Sequence, residues 1–237
     1  MKLLEVNNVS KRFGGLTANE DVTFTVDSGQ IVGLIGPNGA GKTTLFNCVA
    51  GYFAPTSGSI TLGDRDLAGQ PPEACARAGV GRTFQIARTF TSMTACENVM
   101  TAAMLAQHKV SAARESAMQW LAFVNLDRMA DKPAGSMTIS EQRRLAVARA
   151  LAINPRILLM DEVMAGLNPS EVKEAVDVVL RIRDRGIACL IVEHVLEGIM
   201  PIADKIVVLD RGNKIAEGTP QQVSSDPAVI HAYLGDA

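Results

Sequence analysis

The sequence predicts an α/β protein with a parallel-sheet core, an antiparallel β subdomain and a helical subdomain. Three continuous apolar runs are typical of parallel strands that are covered on both faces: "IVGLI" (31–35), "ILLM" (157–160) and "CLIV" (189–192). Segments 4–26 and 60–62 instead alternate apolar and polar residues, which favours half-buried antiparallel strands. Residues 93–152 have mostly helical character. We expect a single domain over 1–237, with the helical lobe at roughly 86–152 inside it.

Composition and charge narrow the class of protein. Of the 237 residues 47% are hydrophobic, and 23 Lys and Arg face 25 Asp and Glu, which is typical of a globular chain. This balance gives no sign of the strongly basic surface that nucleic-acid binding uses, so we expect no nucleic-acid partner. No stretch approaches 18 continuous apolar residues, and the first ten residues lack a signal-peptide core, so we expect a soluble protein. Its four cysteines are widely separated and are expected to be reduced core residues: Cys48, Cys75, Cys96 and Cys189.

The helical region contains two helix-start signals. Thr94 with Glu97, and Thr138 with Glu141, have the spacing of a capping box. The first helix carries methionines at 100 and 104, which fit either core packing or an adaptable docking face. Near the end of the chain, "IVVLDRGNKIAEG" predicts a hairpin that turns at residues 211–213.

The strongest chemical signal follows the first buried strand. The stretch "GPNGAGKTT" satisfies G-x-x-x-x-G-K-[ST] between a strand and an expected helix at 45–50, which is the setting of a phosphate-binding loop. Glycines there let successive N–H groups converge on phosphate oxygens, the lysine reaches the terminal phosphates and the first threonine ligates Mg²⁺. The nucleotide-binding residues are Gly36, Pro37, Asn38, Gly39, Ala40, Gly41, Lys42, Thr43 and Thr44.

Acidic and histidine side chains follow the other two buried strands. The run "RILLMDE" delivers Asp161 and Glu162 at a strand's carboxyl end, beside the phosphate-binding loop if the sheet is parallel. Asp161 is expected to hold Mg²⁺ through its water shell, and Glu162 to polarise the attacking water. His194 follows the third strand and is placed to contact the γ-phosphate from the same edge of the sheet.

Together these residues resemble the ATP-binding subunits of ABC transporters over essentially the whole chain. The resemblance implies the P-loop NTPase fold, with a RecA-like parallel sheet, and ATP with Mg²⁺ as ligands. By position it assigns Phe13 to adenine stacking and Gln85 in "RTFQ" to the Mg²⁺ and the membrane-subunit loop. It also makes "AGLN" (165–168) the D-loop, Glu162 the catalytic base and His194 the switch histidine.

The same resemblance makes the helix start at 138–141 a signature motif. In the family this motif, usually Leu-Ser-x-Gly-Gln or Leu-Ser-x-Gly-Glu, grips the γ-phosphate held by the partner subunit of a dimer. Here Thr138 keeps a hydroxyl and Glu141 matches, but Ser140 replaces glycine. We expect its side chain to intrude where the backbone should approach the phosphate, and the position to need a conformation that glycine adopts freely. A second departure is Val163, where the family has proline. An impaired signature favours a heterodimer with asymmetric turnover over a homodimer.

Several motifs look most like the ATP-binding subunits of bacterial importers for branched-chain and other hydrophobic amino acids, a group that also handles urea and short amides. They include "RTFQIARTF", "DEVMAGLNPSE" and "IVEHVLEGIM". The resemblance implies membrane permease partners, an indirect periplasmic binding protein and a place on the cytoplasmic face of the inner membrane. An alternative is a weakly hydrolysing, regulatory ATP-binding subunit of a heteromeric importer, for example of the urea or amide type.

Two other classes of nucleotide-binding protein fit less well. ABC ATPases of DNA repair or translation usually carry large coiled-coil insertions or tandem ATP domains, and the sequence has neither. A small-molecule kinase with the same phosphate-binding loop would lack the set of Gln85, Glu162 and His194.

Overall fold

A computed structural model describes residues 1–84 and 89–234 of the chain. The strands are β1 (Lys2–Phe13), β2 (Leu16–Asp27), β3 (Ile31–Ile35), β4 (Ser57–Leu62), β5 (Arg65–Asp66), β6 (Val80–Arg82), β7 (Ile157–Asp161), β8 (Ala188–Val192), β9 (Lys205–Asp210) and β10 (Asn213–Gly218). The α-helices are α1 (Lys42–Val49), α2 (Pro72–Ala78), α3 (Ala95–Ala103), α4 (Val110–Phe123), α5 (Ile139–Leu151), α6 (Pro169–Asp184), α7 (Leu196–Ile199), α8 (Pro220–Ser224) and α9 (Pro227–Leu234).

The larger sheet has six strands in the order β10-β9-β3-β8-β7-β6. Its strands from β9 to β6 are parallel, and only the edge strand β10 pairs antiparallel, through the predicted hairpin with β9. Arg211 and Gly212 form the turn of that hairpin with φ values of 45° and 85°, as a tight two-residue hairpin turn requires. The three apolar runs are neighbouring strands, so their carboxyl ends meet at one edge.

The smaller sheet is antiparallel, as the alternating pattern predicts, with the order β2-β1-β4-β5. Its inward side chains, such as Val6, Phe24 and Ile60, pack with α1 against one face of the larger sheet. The opposite face of the larger sheet packs in a second core with helices α3 to α9. Alternate residues of each parallel strand therefore enter different cores, and every residue of β3, β7 and β8 is buried. This burial on both faces explains the continuous apolar runs.

Helices α3, α4 and α5 occupy most of the region predicted to be a helical lobe, and two short 3₁₀ turns lie between α4 and α5. Both predicted capping boxes are present: Thr94 caps α3 with Glu97, and Thr138 caps α5 with Glu141. Of the two methionines in question, Met100 packs against the core, while Met104 is exposed.

All four cysteines are free and buried, as expected. Burial raises the pKa of the Cys48 thiol to about 11 and that of Cys189 to about 12. Within the described ranges no helix is long and apolar enough to cross a membrane.

Candidate functional site

The phosphate-binding loop connects β3 to α1 at the carboxyl edge of the larger sheet. The helix begins at Lys42, so the prediction of a helix at 45–50 is wrong at its start; Lys42, Thr43 and Thr44 form its first turn. Gly41 is the N-cap and has no side chain with which to occupy the first backbone N–H groups of the helix. Those N–H groups are available to an anion, and the helix dipole favours one there.

The three glycines of the loop have positive φ values, as the motif predicts. They are 149° at Gly36, 80° at Gly39 and 95° at Gly41. Asn19 on β2 supports the loop from the smaller sheet: it is fully buried and its Nδ2 donates to the Gly41 carbonyl at 3.2 Å. A β-carbon at Gly41 would lie 2.4 Å from the Ala18 carbonyl oxygen, so only glycine fits this close approach. No local pattern in the sequence indicated a role for Asn19.

Lys42 is almost fully buried, and its Nζ donates to the carbonyls of Gly36 at 2.7 Å and Pro37 at 2.9 Å. Burial lowers the pKa of this ammonium, and the negative charges of Glu162 and Asp161 oppose that shift. The lysine thus lies across the loop, with its charge facing the two carboxylates. A phosphate bound by the loop would supply the anion that this buried charge favours.

The two candidate carboxylates at the end of β7 differ in their surroundings. Asp161 is the last residue of the strand and is 6% exposed, and burial raises its pKa against the effect of Arg82. The Arg82 Nη2 lies 3.8 Å from Asp161 Oδ2. Glu162 has a φ of 49°, unusual for a residue with a side chain, and its N–H donates to the Val192 carbonyl. This strained backbone turns the strand sharply into the following loop.

Glu162 and His194 come together as predicted. The His194 Nε2 lies 3.2 Å from Glu162 Oε1, although the two residues follow different strands. A cleft of about 360 Å³ is lined by both side chains and by the loop from Asn38 to Thr44. The parallel pairing of β7 with β8, and of β8 with β3, creates this convergence.

Phe13 is not among the residues that line this cleft. It pairs across the β1–β2 hairpin with Leu16, which does line the cleft. Its ring is 42% exposed and meets the ring of Phe53 edge-on at 5.2 Å. The Lys11 ammonium also lies over this ring, 4.8 Å from its centre. Phe13 is therefore partly exposed but already has an aromatic and a cationic neighbour. Gln85 lies outside the described residues.

Glu193 is a buried acid that the sequence analysis did not single out. Its side chain is fully buried, and Oε1 accepts from the Met164 N–H at 2.8 Å. Burial raises the pKa of this carboxyl, while backbone N–H groups lower it. The contact ties the segment after Glu162 to the segment that carries His194. A buried acid at the end of an apolar strand was the available signal.

The signature helix α5 begins as the sequence predicts but corrects one expectation. Thr138 Oγ1 accepts from the Glu141 N–H at 3.2 Å, and Glu141 Oε2 accepts from the Thr138 N–H at 2.9 Å. Ser140 lies inside the α-helix and its φ is not positive, so the expectation that it needs a glycine conformation is wrong. Ser140 and Val163, the two departures from the family pattern, line the same small cavity.

The site also fits Mg²⁺ by the chemistry of its donors. Thr43 and Asp161 offer a hydroxyl and a carboxylate, which are hard oxygen ligands. Across the described ranges no cluster of three or more His, Cys, Asp or Glu side chains could hold a metal alone. This composition suits an ion that keeps several waters and takes its other ligands from nucleotide phosphates.

Comparison with known proteins agrees with this geometry. The family model described as "ABC transporter" matches residues 19–165, and one described as "Branched-chain amino acid ATP-binding cassette transporter" matches 213–237. The chain belongs to the ABC transporter family. It is an ABC-type ATPase with the P-loop NTPase fold of that family.

Similar ABC proteins cover essentially the full chain. The high-affinity branched-chain amino acid transport ATP-binding protein BraF of Pseudomonas aeruginosa is 42% identical over 99% of this chain and 98% of its own. LivG of Escherichia coli K12, described in the same words, is 41% identical with the same coverage. A crystal structure of the ADP conformation of MJ1267, an ATP-binding cassette of an ABC transporter, has a TM-score of 0.90 and 30% identity, and each chain covers 100% of the other.

Proposed function

We propose that this chain is the ATP-hydrolysing subunit that energises import of branched-chain or other hydrophobic amino acids across the bacterial inner membrane. The observation that carries the ATPase part is the cleft in which Lys42, Glu162 and His194 meet around the phosphate-binding loop. The solute is inferred from the printed descriptions of BraF and LivG. The residues that line the cleft are assigned to the nucleotide, and we infer that partner proteins bind the solute.

In this proposal each side chain has a defined task. The loop N–H groups and Lys42 bind the terminal phosphates and stabilise the charge that develops on the γ-phosphoryl group. Glu162 orients the attacking water and accepts its proton, while His194 holds the Glu162 carboxylate and contacts the γ-phosphate. Thr43 and Asp161 would hold Mg²⁺, which neutralises phosphate charge when bound. Phe13 would stack on adenine, and Gln85 would contact the Mg²⁺ and the attacking water.

A groove of about 440 Å³ is the proposed contact with a membrane permease. Tyr52, Arg82 and Phe84 line one side of it, and Ala102 and Arg149 belong to the helical lobe on the other. Because residues of both the lobe and the sheet core line the groove, a movement of the lobe would displace a helix that is docked there. Through such a permease the chain would sit at the cytoplasmic face of the membrane, with a periplasmic binding protein acting further away.

Amino-acid uptake by cells tests this function. Deleting the gene is expected to abolish high-affinity uptake of radiolabelled leucine, isoleucine and valine, and the wild-type gene should restore it. Unchanged uptake of these amino acids would refute the proposed solute. Loss of urea or short-amide uptake instead would assign the chain to the alternative importer type.

We further propose that the signature of this subunit, Thr138 to Glu141, serves a heterodimer in which turnover is asymmetric. The side chain of Ser140 stands where the family backbone approaches the partner's phosphate. Its helical φ means that steric intrusion, and not backbone strain, would weaken the site. The ATPase activity of the purified chain, measured with and without membrane partners, separates a working enzyme with one weak site from a regulatory subunit that hydrolyses ATP poorly.

Ser140→Gly is expected to raise the ATPase rate of the assembled complex about three-fold, since removing the side chain lets the helix N-terminus approach the phosphate. Steady-state phosphate release measures the effect. Ser140→Ala is the matched control: it keeps the β-carbon and should recover less activity than glycine. An unchanged rate in Ser140→Gly would show that Ser140 does not limit turnover.

A further inference from the structure

Arg82 lies between Asp161 and the groove that it helps to line, and no task has been assigned to its guanidinium. It is the last residue of β6, the edge strand that pairs in parallel with β7. Its side chain is only 12% exposed although it carries a permanent charge. A buried guanidinium requires compensating partners, so its contacts identify what it serves.

Three aromatic rings of the described residues lie around the guanidinium. Its central carbon lies 5.0 Å from the ring centre of Phe46, 4.6 Å from that of Tyr52 and 4.8 Å from that of Phe84. These distances are within the range of cation–π attraction, which strengthens as the cation loses water. Nη1 also donates to Asn47 Oδ1 at 2.7 Å. Because Phe46 and Asn47 belong to α1, the arginine is fixed to the helix of the phosphate-binding loop.

The guanidinium also lies beside the carboxylate of Asp161. The Nη2–Oδ2 distance of 3.8 Å is that of an ion pair and not of a short hydrogen bond. This pairing engages one carboxylate oxygen from the β6 side. The arginine therefore restricts the rotation of the side chain that we assign to Mg²⁺.

The aromatic neighbours also connect the arginine to the groove. Tyr52, Phe84 and Arg82 itself are among the residues that line the 440 Å³ groove proposed for the permease. A helix placed there would contact the same two rings that hold the guanidinium. Its contacts would reach Asp161 through one intervening side chain.

We propose that Arg82 is a positioning residue that links occupancy of this groove to the orientation of the Asp161 carboxylate. The inference rests on the proposed function, because it takes the groove as the permease site and Asp161 as the Mg²⁺ residue. The planar guanidinium suits this role, since it can stack on several rings while its edges reach Asn47 and Asp161. An ammonium would keep the charge but lose the stacking and the second contact.

The test measures how strongly Mg²⁺ tightens nucleotide binding by the full chain. A fluorescent ATP analogue is titrated in EDTA and in excess Mg²⁺, and the ratio of the two affinities is the Mg²⁺ enhancement. Arg82→Met is expected to lower this enhancement about ten-fold and Arg82→Lys about three-fold, with the affinity in EDTA unchanged within about two-fold. The unchanged affinity in EDTA also shows that the variants are folded around the loop.

Tyr52→Leu removes one of the aromatic rings that contact the Arg82 guanidinium and tests the link to the groove. Alone it is expected to lower the Mg²⁺ enhancement about three-fold, and in the Arg82→Met background to lower it no further. Arg185→Met is the matched control, because Arg185 also lies over two rings, Phe123 and Trp120, but far along the chain in α6's C-cap. That control should leave the enhancement unchanged.

The outcomes separate the two proposals. A wild-type chain that binds no ATP analogue in either condition would refute the proposed function. Normal enhancement in the wild type, together with an unchanged or increased enhancement in both Arg82 variants, would overturn only the positioning role. Additive effects of Tyr52→Leu and Arg82→Met would overturn the connection to the groove.

Discussion

Glu162→Gln is expected to bind ATP as tightly as the wild type and to hydrolyse it at least about 100-fold more slowly. Glutamine has nearly the same size and can keep a hydrogen bond to His194, which lies 3.2 Å from the carboxylate in the native chain. It cannot accept a proton from the attacking water. The unusual φ of 49° is carried by the backbone of either residue, so the turn after β7 should persist.

Single-turnover phosphate release measures the chemical step, and equilibrium titration with the nucleotide measures binding. The difference between them matters, because a loss in the rate of turnover with unchanged binding identifies an interaction made only in the transition state. Glu197→Gln is a suitable control, since Glu197 is an exposed acid on α7, in the segment that follows His194. Hydrolysis by Glu162→Gln within three-fold of the wild-type rate would remove Glu162 from the role of base.

Much of the fold could be predicted because buried strands have a recognisable apolar pattern in the sequence. β3, β7 and β8 read as apolar runs since each strand contributes to a core on both faces of the sheet. Once these strands are parallel, the loop after β3 and the acids after β7 must share an edge. The cleft followed from strand order and needed no knowledge of side-chain detail.

The errors arose where one pattern has two physical explanations. The helix α1 starts at Lys42, but its first turn lies inside the motif and is polar on every side, so apolar periodicity could not show it. Ser140 stands where the usual motif of the resembled family has glycine, and a glycine can be required either by the backbone conformation or by a lack of space for a side chain. Only the helical backbone of Ser140 distinguishes these reasons.

Other site residues had no local pattern at all. Arg82 and Asn19 act through partners distant in the chain, Asp161 and Gly41 respectively. A cation at the end of a short strand or an amide in an alternating strand is unremarkable until the fold brings its partner near. Such residues can be found only from tertiary contacts.

Gly41→Ala is expected to lower the free energy of unfolding by about 3 kcal/mol and to weaken ATP binding at least about ten-fold. Gly41 has a φ of 95°, and a β-carbon there would lie 2.4 Å from the Ala18 carbonyl oxygen and 2.5 Å from Asn19 Nδ2. The loop would have to move away from β2, which would displace the N-terminus of α1. Urea unfolding of the nucleotide-free chain and ATP titration measure the two effects.

Gly39→Ala is the matched control within the same loop. Its φ of 80° is also strained for alanine, but a β-carbon there meets no atom within 4 Å. Gly39→Ala should therefore lose only the free energy that the strained backbone conformation costs, about 1 kcal/mol of unfolding free energy. The difference between the two variants isolates the contact of the phosphate-binding loop with β2. Equal losses would mean that the smaller sheet does not hold this loop in place, and that positive φ alone explains the glycine at 41.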